Sequence, residues 1–284
     1  MTKSAQEDFR RAFRELGYVE GKNLVIDWRS AERSIDRANA MASELVRLQP
    51  RVLVAEFTPA ARALKNATTT IPIVMASTGD PVASGLVPNL ARPGGNITGF
   101  TNLAAELSGK RLDLVRELVP GMTHVGLLIH GADPLDGAFV DETRAAAAKV
   151  GIQVQVKSVP RPDELGNILT AMKAEGVAAI IVLGNVPVPV QQIAAAAVQH
   201  RLPSISVLND YVEAGGLLAY GASVSDIRRR AVGYVDRILK GAKAADLPVE
   251  RPTKFELVVN QRAARGIGLT IPPSLLLQAD RVIN

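Results

Sequence analysis

The sequence predicts an α/β chain with parallel sheets, and three observations carry that reading. Short apolar, β-branched stretches alternate with amphipathic helical stretches along most of the chain; that alternation builds βαβ units and parallel strands. One apolar run, Ile71-Pro72-Ile73-Val74-Met75-Ala76, empties abruptly into Ser77-Thr78-Gly79-Asp80-Pro81. A run apolar on both faces suits a strand covered by helices on each side, and the carboxyl edge of such a sheet is where ligands sit. The third observation is a second copy of the pattern about 130 residues downstream.

In the first copy Arg51-Val52-Leu53-Val54-Ala55 is a buried strand, Thr58-Pro59-Ala60 opens a helix through Ala67, and Thr70-Ile71-Pro72 starts the next strand. In the second, Ala179 to Leu183 is the strand, Val190 to His200 the helix, and Arg201-Leu202-Pro203 leads into Ser204 to Leu208. Both finish on Asp-x-Val-x-x-Gly, at Asp80, Val82, Gly85 and at Asp210, Val212, Gly215. A doubly wound chain repeats βαβ units in any case, and three matching letters can arise by chance. If the repeat is real, two similar lobes each offer a polar loop to a shared cleft.

Taken in order, helix Ala5 to Leu16 places Phe9, Phe13 and Leu16 on one stripe and is closed by Gly17. The turn Glu20 to Asn23 feeds a strand, Leu24 to Trp28, and helix Ile35 to Leu48 follows with Met41, Leu45 and Leu48 aligned. After the first copy come Leu86 to Leu90 and the Gly-rich turn Arg92 to Asn96, which lacks the spacing of a phosphate-binding loop. A hinge follows Asn102, then helix Leu107 to Leu118, ended by Pro120-Gly121. The second lobe runs through strand His124 to Ile129, loop Gly131 to Gly137, helix Ala138 to Val150, strand Gln153 to Val159 and helix Glu164 to Glu175 into the second copy. Strand Leu217 to Tyr220 precedes helix Ile227 to Leu239, with Ser225-Asp226 at its start. Ala244 to Pro248 is linker-like, Phe255 to Val259 is a last strand, and a tail begins at Leu269.

Composition removes several classes of function. With 284 residues the chain is long enough for two domains, and 47% hydrophobic against 21% charged residues gives it an ample core. Aromatics make up only 4%, so stacking platforms for single-stranded nucleic acid are absent. A net charge of +5 invites a nucleic-acid reading, but Lys and Arg are scattered singly or in pairs, and the one longer run, Arg228-Arg229-Arg230, reads as a solvated helix face. There is no Cys, which excludes disulfides, thiol nucleophiles, thiolate metal sites and the paired-cysteine racemases. His124, His130 and His200 form no metal-ligand spacing, and no nucleophile elbow, Walker motif or calcium loop is present. No apolar run reaches membrane-spanning length, and Met1 to Ser4 pass into a helix without the apolar core of a signal peptide. Asp80 and Asp210 can cap the next helix, hold a ligand ammonium or hydroxyl, or act as an acid and base pair.

Five ordered blocks add a resemblance. They are Leu16-Gly17-Tyr18-Val19-Glu20-Gly21-Lys22-Asn23, Thr70 to Val74, Gly79-Asp80-Pro81-Val82, Leu90-Ala91-Arg92-Pro93-Gly94-Gly95-Asn96-Ile97-Thr98-Gly99, and Leu247 to Asn260. Together they resemble the tryptophan/tyrosine-binding-like substrate-binding proteins of bacterial ABC importers, of the type I periplasmic-binding architecture. The resemblance implies two Rossmann-like lobes joined by three crossovers, dividing the chain into 1–102 with 222–250 and 103–221 with 251–284. It implies a monomer, placed in the periplasm or at the cell surface, that carries a small molecule to a membrane permease. It implies no enzyme activity, no cofactor and no nucleic-acid partner. Members with known ligands bind amino acids, often aromatic ones. The family pattern also sets a signal peptide and a first strand ahead of the helix at Ala5; neither stands here, so a truncated start is expected, with part of the site missing. At Glu56-Phe57-Thr58 the family tends to a Gly-Thr turn, and Phe57 is open to two readings, an aromatic wall or core packing.

Strand-end position and this architecture together select the candidate ligand contacts. Thr58, Ser77, Thr78 and Asp80 of the first lobe offer hydroxyls and helix N-terminal amides for a carboxylate. His130, Asn185, Asn209 and Asp210 of the second offer acceptors for an ammonium, and Asn102 stands at the crossover. Tyr211 and Tyr220 are stacking candidates, Tyr220 with core packing as the stronger reading. The mechanism expected is closure around a ligand that binds the closed state better than the open one. The alternative is the ligand-sensing domain of a transcription regulator of the same fold, which needs a helix-turn-helix upstream; a third class, an enzyme of two-lobed α/β build, predicts turnover of a bound compound.

Overall fold

Helix α1 (Lys3–Glu15) buries Ala5, Phe9, Ala12 and Phe13 on one stripe, and Trp28 tilts against Phe9 with ring centroids 6.0 Å apart. In the computed structural model, residues 3–32, 34–102, 105–131 and 136–284 are described. The first unit continues through α2 (Ile35–Arg47), β1 (Leu53–Glu56), α3 (Phe57–Ala67), β2 (Ile73–Thr78) and β3 (Ile97–Thr101). The Ser34 hydroxyl caps α2 by accepting from the Arg37 N–H at 3.3 Å. All six residues of β2 are buried, as a central parallel strand requires.

The chain then builds most of the second unit: α4 (Ser108–Leu118), β4 (His124–Ile129), α5 (Asp136–Ala148), β5 (Gln153–Ser158), α6 (Leu165–Ala174), β6 (Ala179–Val182), α7 (Val190–Gln199), β7 (Ser204–Ser206), α8 (Asp210–Glu213) and β8 (Leu218–Ala222). It returns to the first unit for α9 (Val224–Leu239) and β9 (Val249–Glu250), and ends in the second with β10 (Phe255–Asn260), α10 (Gln261–Ile267), α11 (Pro273–Gln278) and β11 (Arg281–Ile283). The two units are Met1–Leu103 with Ser223–Lys254, and Ala104–Ala222 with Phe255–Asn284.

The first unit's sheet has the order β1-β2-β3-β9, all parallel. Leu53, Ala55, Ile73, Met75 and Ile97 pack there with Ala61 and Leu64 of α3 and Ala38 and Ala42 of α2. Gly99 sits at φ 130°, where a Cβ would lie 2.2 Å from the Met75 carbonyl oxygen, so only glycine lets β3 approach β2 this closely. The second sheet has the order β11-β10-β8-β7-β6-β4-β5, parallel except for the antiparallel pair β10 and β8. Val125, Leu127, Ile180, Ile181, Ile205 and Leu218 form its core with Leu112, Val115, Leu169 and Ile193 from the covering helices. The expected α/β class with parallel sheets is therefore observed in each unit.

The duplicated Asp-x-Val-x-x-Gly motif encodes the same turn twice. The Ser84 N–H donates to the Asp80 carbonyl at 3.0 Å, and Ala214 N–H to Asp210 at 3.0 Å. Gly85 N–H reaches the Val82 carbonyl at 2.9 Å and Gly215 N–H that of Val212 at 3.1 Å. Leu86 N–H donates to Pro81 at 2.9 Å and Gly216 N–H to Tyr211 at 2.8 Å. Both glycines take positive φ, 68° and 102°, which ends each helical turn at low steric cost. Three hydrogen bonds in matching order are a stronger match than three letters.

Several sequence expectations need correction. Leu24 to Trp28 is no ladder strand: only an isolated Glu20 to Leu24 bridge forms, and the alternation of half-buried Leu24, Ile26 and Trp28 with exposed Val25 and Asp27 comes from side-chain anchoring. Arg228-Arg229-Arg230 is not a solvated face, because α9 packs against α1 and β2. Arg228 pairs with Glu56 at 2.6 Å and Asp8 at 2.9 Å, Arg230 pairs with Glu250 and lies 4.8 Å over the Phe100 ring, and only Arg229 remains 56% exposed. Helix α9 also starts a turn earlier than expected, since the Ser223 hydroxyl accepts the Asp226 N–H at 3.4 Å. The tail holds two helices and a strand: Asn260 caps α10 by accepting the Ala263 N–H at 2.9 Å, and β11 pairs with β10. The hinge expected after Asn102 falls on residues 103–104 and most of the Gly131 to Gly137 loop on 132–135, outside the described residues.

Candidate functional site

The carboxyl edge of the first sheet is shaped by a bulge. Met75 pairs with Gly99 but Thr78 pairs with Thr101, so β2 carries one residue more than β3 across that interval. Ser77 absorbs the difference at φ 65°, fully buried. The Asn102 side-chain amide donates to the Ser77 carbonyl at 3.2 Å and lies 3.4 Å from its hydroxyl, while the Asn102 N–H donates to the Thr78 carbonyl at 2.7 Å. Thr78 Oγ1 donates to the Phe100 carbonyl at 3.2 Å, and Thr101 Oγ1 to the Gly79 carbonyl at 2.6 Å. Thr58, in the first turn of α3, accepts the Gly79 N–H at 3.1 Å. Thr58, Ser77, Thr78 and Asn102 are thus brought together in one hydrogen-bonded edge. Asp80 stands apart from that set: it is exposed, and its Oδ1 accepts the N–H groups of Val82 and Ala83 at 2.8 and 3.0 Å, the capping role among those open to it.

In the second unit His130 follows β4 directly, and Asn185 and the pair Asn209-Asp210 come shortly after the ends of β6 and β7; these strands are adjacent in the order β7-β6-β4, so all four lie at one carboxyl edge. Two carboxylates missed by sequence reasoning organise them. Asp136, 5% exposed at the start of α5, accepts the Gly131 N–H at 2.7 Å through Oδ2 and the Asn185 side-chain amide at 3.0 Å through Oδ1. Glu256 accepts the Asn209 side-chain amide at 2.7 Å. Asp136 was within the expected loop between β4 and α5, where an acid at a helix N-terminus is a readable signal. Glu256 gave no such signal: it reaches this edge because β10 runs antiparallel to β8, with Glu256 opposite Gly221, and strand direction is invisible in apolar periodicity.

His130 is half-buried, and its carbonyl accepts the Ser158 hydroxyl at 2.8 Å. Asp210 is half-buried as the first residue of α8. Beneath the edge lies Arg111, fully buried, donating through Nε to the Tyr220 carbonyl at 2.7 Å with its guanidinium 5.5 Å over the Phe139 ring. Burial lowers its pKa to about 9. Tyr211 is not a stacking group: it has no exposed surface, donates to Ser204 Oγ at 2.7 Å, and burial raises its pKa. Tyr220 packs against the core, as its strand position suggested.

The second unit's edge is therefore rich in carboxylate and amide acceptors, the first unit's in hydroxyls, a side-chain amide and backbone N–H groups. Among the described residues no group of His, Cys, Asp and Glu fits a metal ion, and no helix is long and apolar enough to cross a membrane. A tyrosine-binding protein of Clostridioides difficile (strain R20291) is 26% identical to this chain over 266 residues, which span 93% of this chain and 76% of that protein. A conserved domain protein from Vibrio cholerae O1 biovar eltor str. N16961 shares the fold with a TM-score of 0.89 at 30% identity, over 99% of this chain and 96% of the other. An ABC domain from Streptococcus pneumonia, solved in complex with L-Trp, gives 0.87 at 29% identity over 100% and 97% of the two chains. The model of the ABC transporter substrate binding protein family matches residues 2–283, so nearly the whole chain is accounted for and the protein belongs to that family.

Proposed function

We propose that this substrate-binding protein takes up a free aromatic amino acid outside the cytoplasm, without chemical turnover, and passes it to a membrane permease. The observation that supports this reading most is the contrast between the two strand-end edges. Asp136, Glu256, Asn185 and Asn209 gather acceptors in the second unit, which suits an ammonium. Thr58, Ser77, Thr78 and Asn102 gather hydroxyls and amide N–H groups in the first, which suits a carboxylate. The ligands named for the Clostridioides difficile and Streptococcus pneumonia relatives, tyrosine and L-Trp, are of the same chemical class. Asp210 and His130 complete the proposed ammonium side, and Asp80 keeps its second carboxylate oxygen for the ligand or water.

A thermal-shift screen of the twenty amino acids tests the reading. A ligand at 100 times its Kd stabilises the folded state by about 2.7 kcal/mol, so L-tryptophan or L-tyrosine is expected to raise the Tm clearly. A screen in which no amino acid moves the Tm, and calorimetry shows no heat of binding, refutes it.

A further inference from the structure

Two non-glycine residues with positive φ stand side by side at the first unit's edge. Glu56 of β1 pairs with Ala76 of β2, and the next residue on each strand, Phe57 at φ 67° and Ser77 at φ 65°, leaves the normal region of the backbone map. Ser77 has a reason, the bulge. Phe57 has none in the ladder, which ends at Glu56, and an aromatic residue is an unfavourable choice for a left-handed conformation. Such strain persists where the surroundings over-determine it and concentrates at binding sites.

The surroundings do over-determine it. Glu56, immediately before Phe57, is held by Arg228 at 2.6 Å, and Arg228 is itself held by Asp8 at 2.9 Å, with side-chain exposures of 9%, 15% and 18%. Thr58, immediately after, is fixed through its bond to the Gly79 N–H. The ring between these anchors is half-buried. The register of β1 on β2 places its backbone next to that of Ser77, whose carbonyl accepts the Asn102 amide.

We infer that Phe57 is a specificity-determining residue: its ring, held beside the polar edge by a strained backbone, recognises the flat aromatic side chain of the ligand and disfavours branched aliphatic ones. The inference rests on the amino-acid reading above. An offset or edge-on aromatic contact adds to what buried area alone supplies, and that increment is about a tenfold change in Kd.

The test is Phe57→Gly, with calorimetric titration of L-tryptophan and L-leucine and a melting curve without ligand. Glycine is at home at φ 67°, so the Tm is expected to hold or rise while affinity for L-tryptophan falls about tenfold and the preference over L-leucine collapses. Phe57→Trp is expected to keep the preference. A variant that melts earlier yet keeps the wild-type ratio of the two affinities shows a ring that only packs, and overturns the inference while leaving the amino-acid reading intact. Wild-type protein that binds neither probe removes both.

Discussion

Asp136 holds donors from two parts of the chain at once, the Gly131 N–H at the end of β4 and the Asn185 amide after β6. It is too buried to be a broad contact surface, at 5% exposure, so it positions the groups around it. Asp136→Ala removes this acceptor from both donors, and a hydrogen bond to a charged group contributes about 1.5–3 kcal/mol. Chemical denaturation should show a loss of that size, and the variant should bind L-tryptophan more weakly. Wild-type affinity in Asp136→Ala would show that the placement of Asn185 does not matter to the ligand. At this scale the sequence was only partly readable. The strand-end placement of Thr58, Ser77, Thr78 and Asn102 was legible because each stands at or close to the end of a buried strand, whereas Arg228 was misjudged because a triple-arginine run does not reveal that α1 and β2 cover that face of α9.

At the scale of the element, glycines separate two kinds of constraint. Gly85 closes the first Asp-x-Val-x-x-Gly turn at φ 68° with open space around a would-be Cβ. Gly85→Ala therefore costs only the left-handed backbone, about 1–2 kcal/mol. Gly99→Ala combines φ 130° with a contact of 2.2 Å to the Met75 carbonyl oxygen, so the β2 and β3 pairing must shift and the loss should be clearly larger. Denaturant midpoints of the two variants compare them directly, and equal losses would contradict the close approach of β3 to β2. The turn repeat was legible because each of its letters has a steric or hydrogen-bonding duty. The Leu24 to Trp28 segment misled because burial on alternate residues is the strand signal, and here side-chain anchoring of Trp28 on Phe9 produces it without a ladder.

For the whole molecule, the order of strands and helices predicted the α/β class, since parallel pairing follows from βαβ alternation. Element order alone does not show the return of the chain: α9 and β9 joining the first unit was expected only from the family resemblance, and the reversal of β10 beside β8, which brings Glu256 to the edge, was not expected at all. Family membership, with a model match over residues 2–283, agrees with the resemblance carried by the five sequence blocks. The central claim is that the strand-end edges are the ligand-binding surfaces. Amide chemical-shift mapping during titration with L-tryptophan tests it most directly. The account predicts the largest shifts at residues 57, 58, 77 to 79 and 102 in the first unit and at 130, 131, 136, 185, 209, 210 and 256 in the second. Saturable shifts confined to other surfaces, with these amides unmoved, would contradict it.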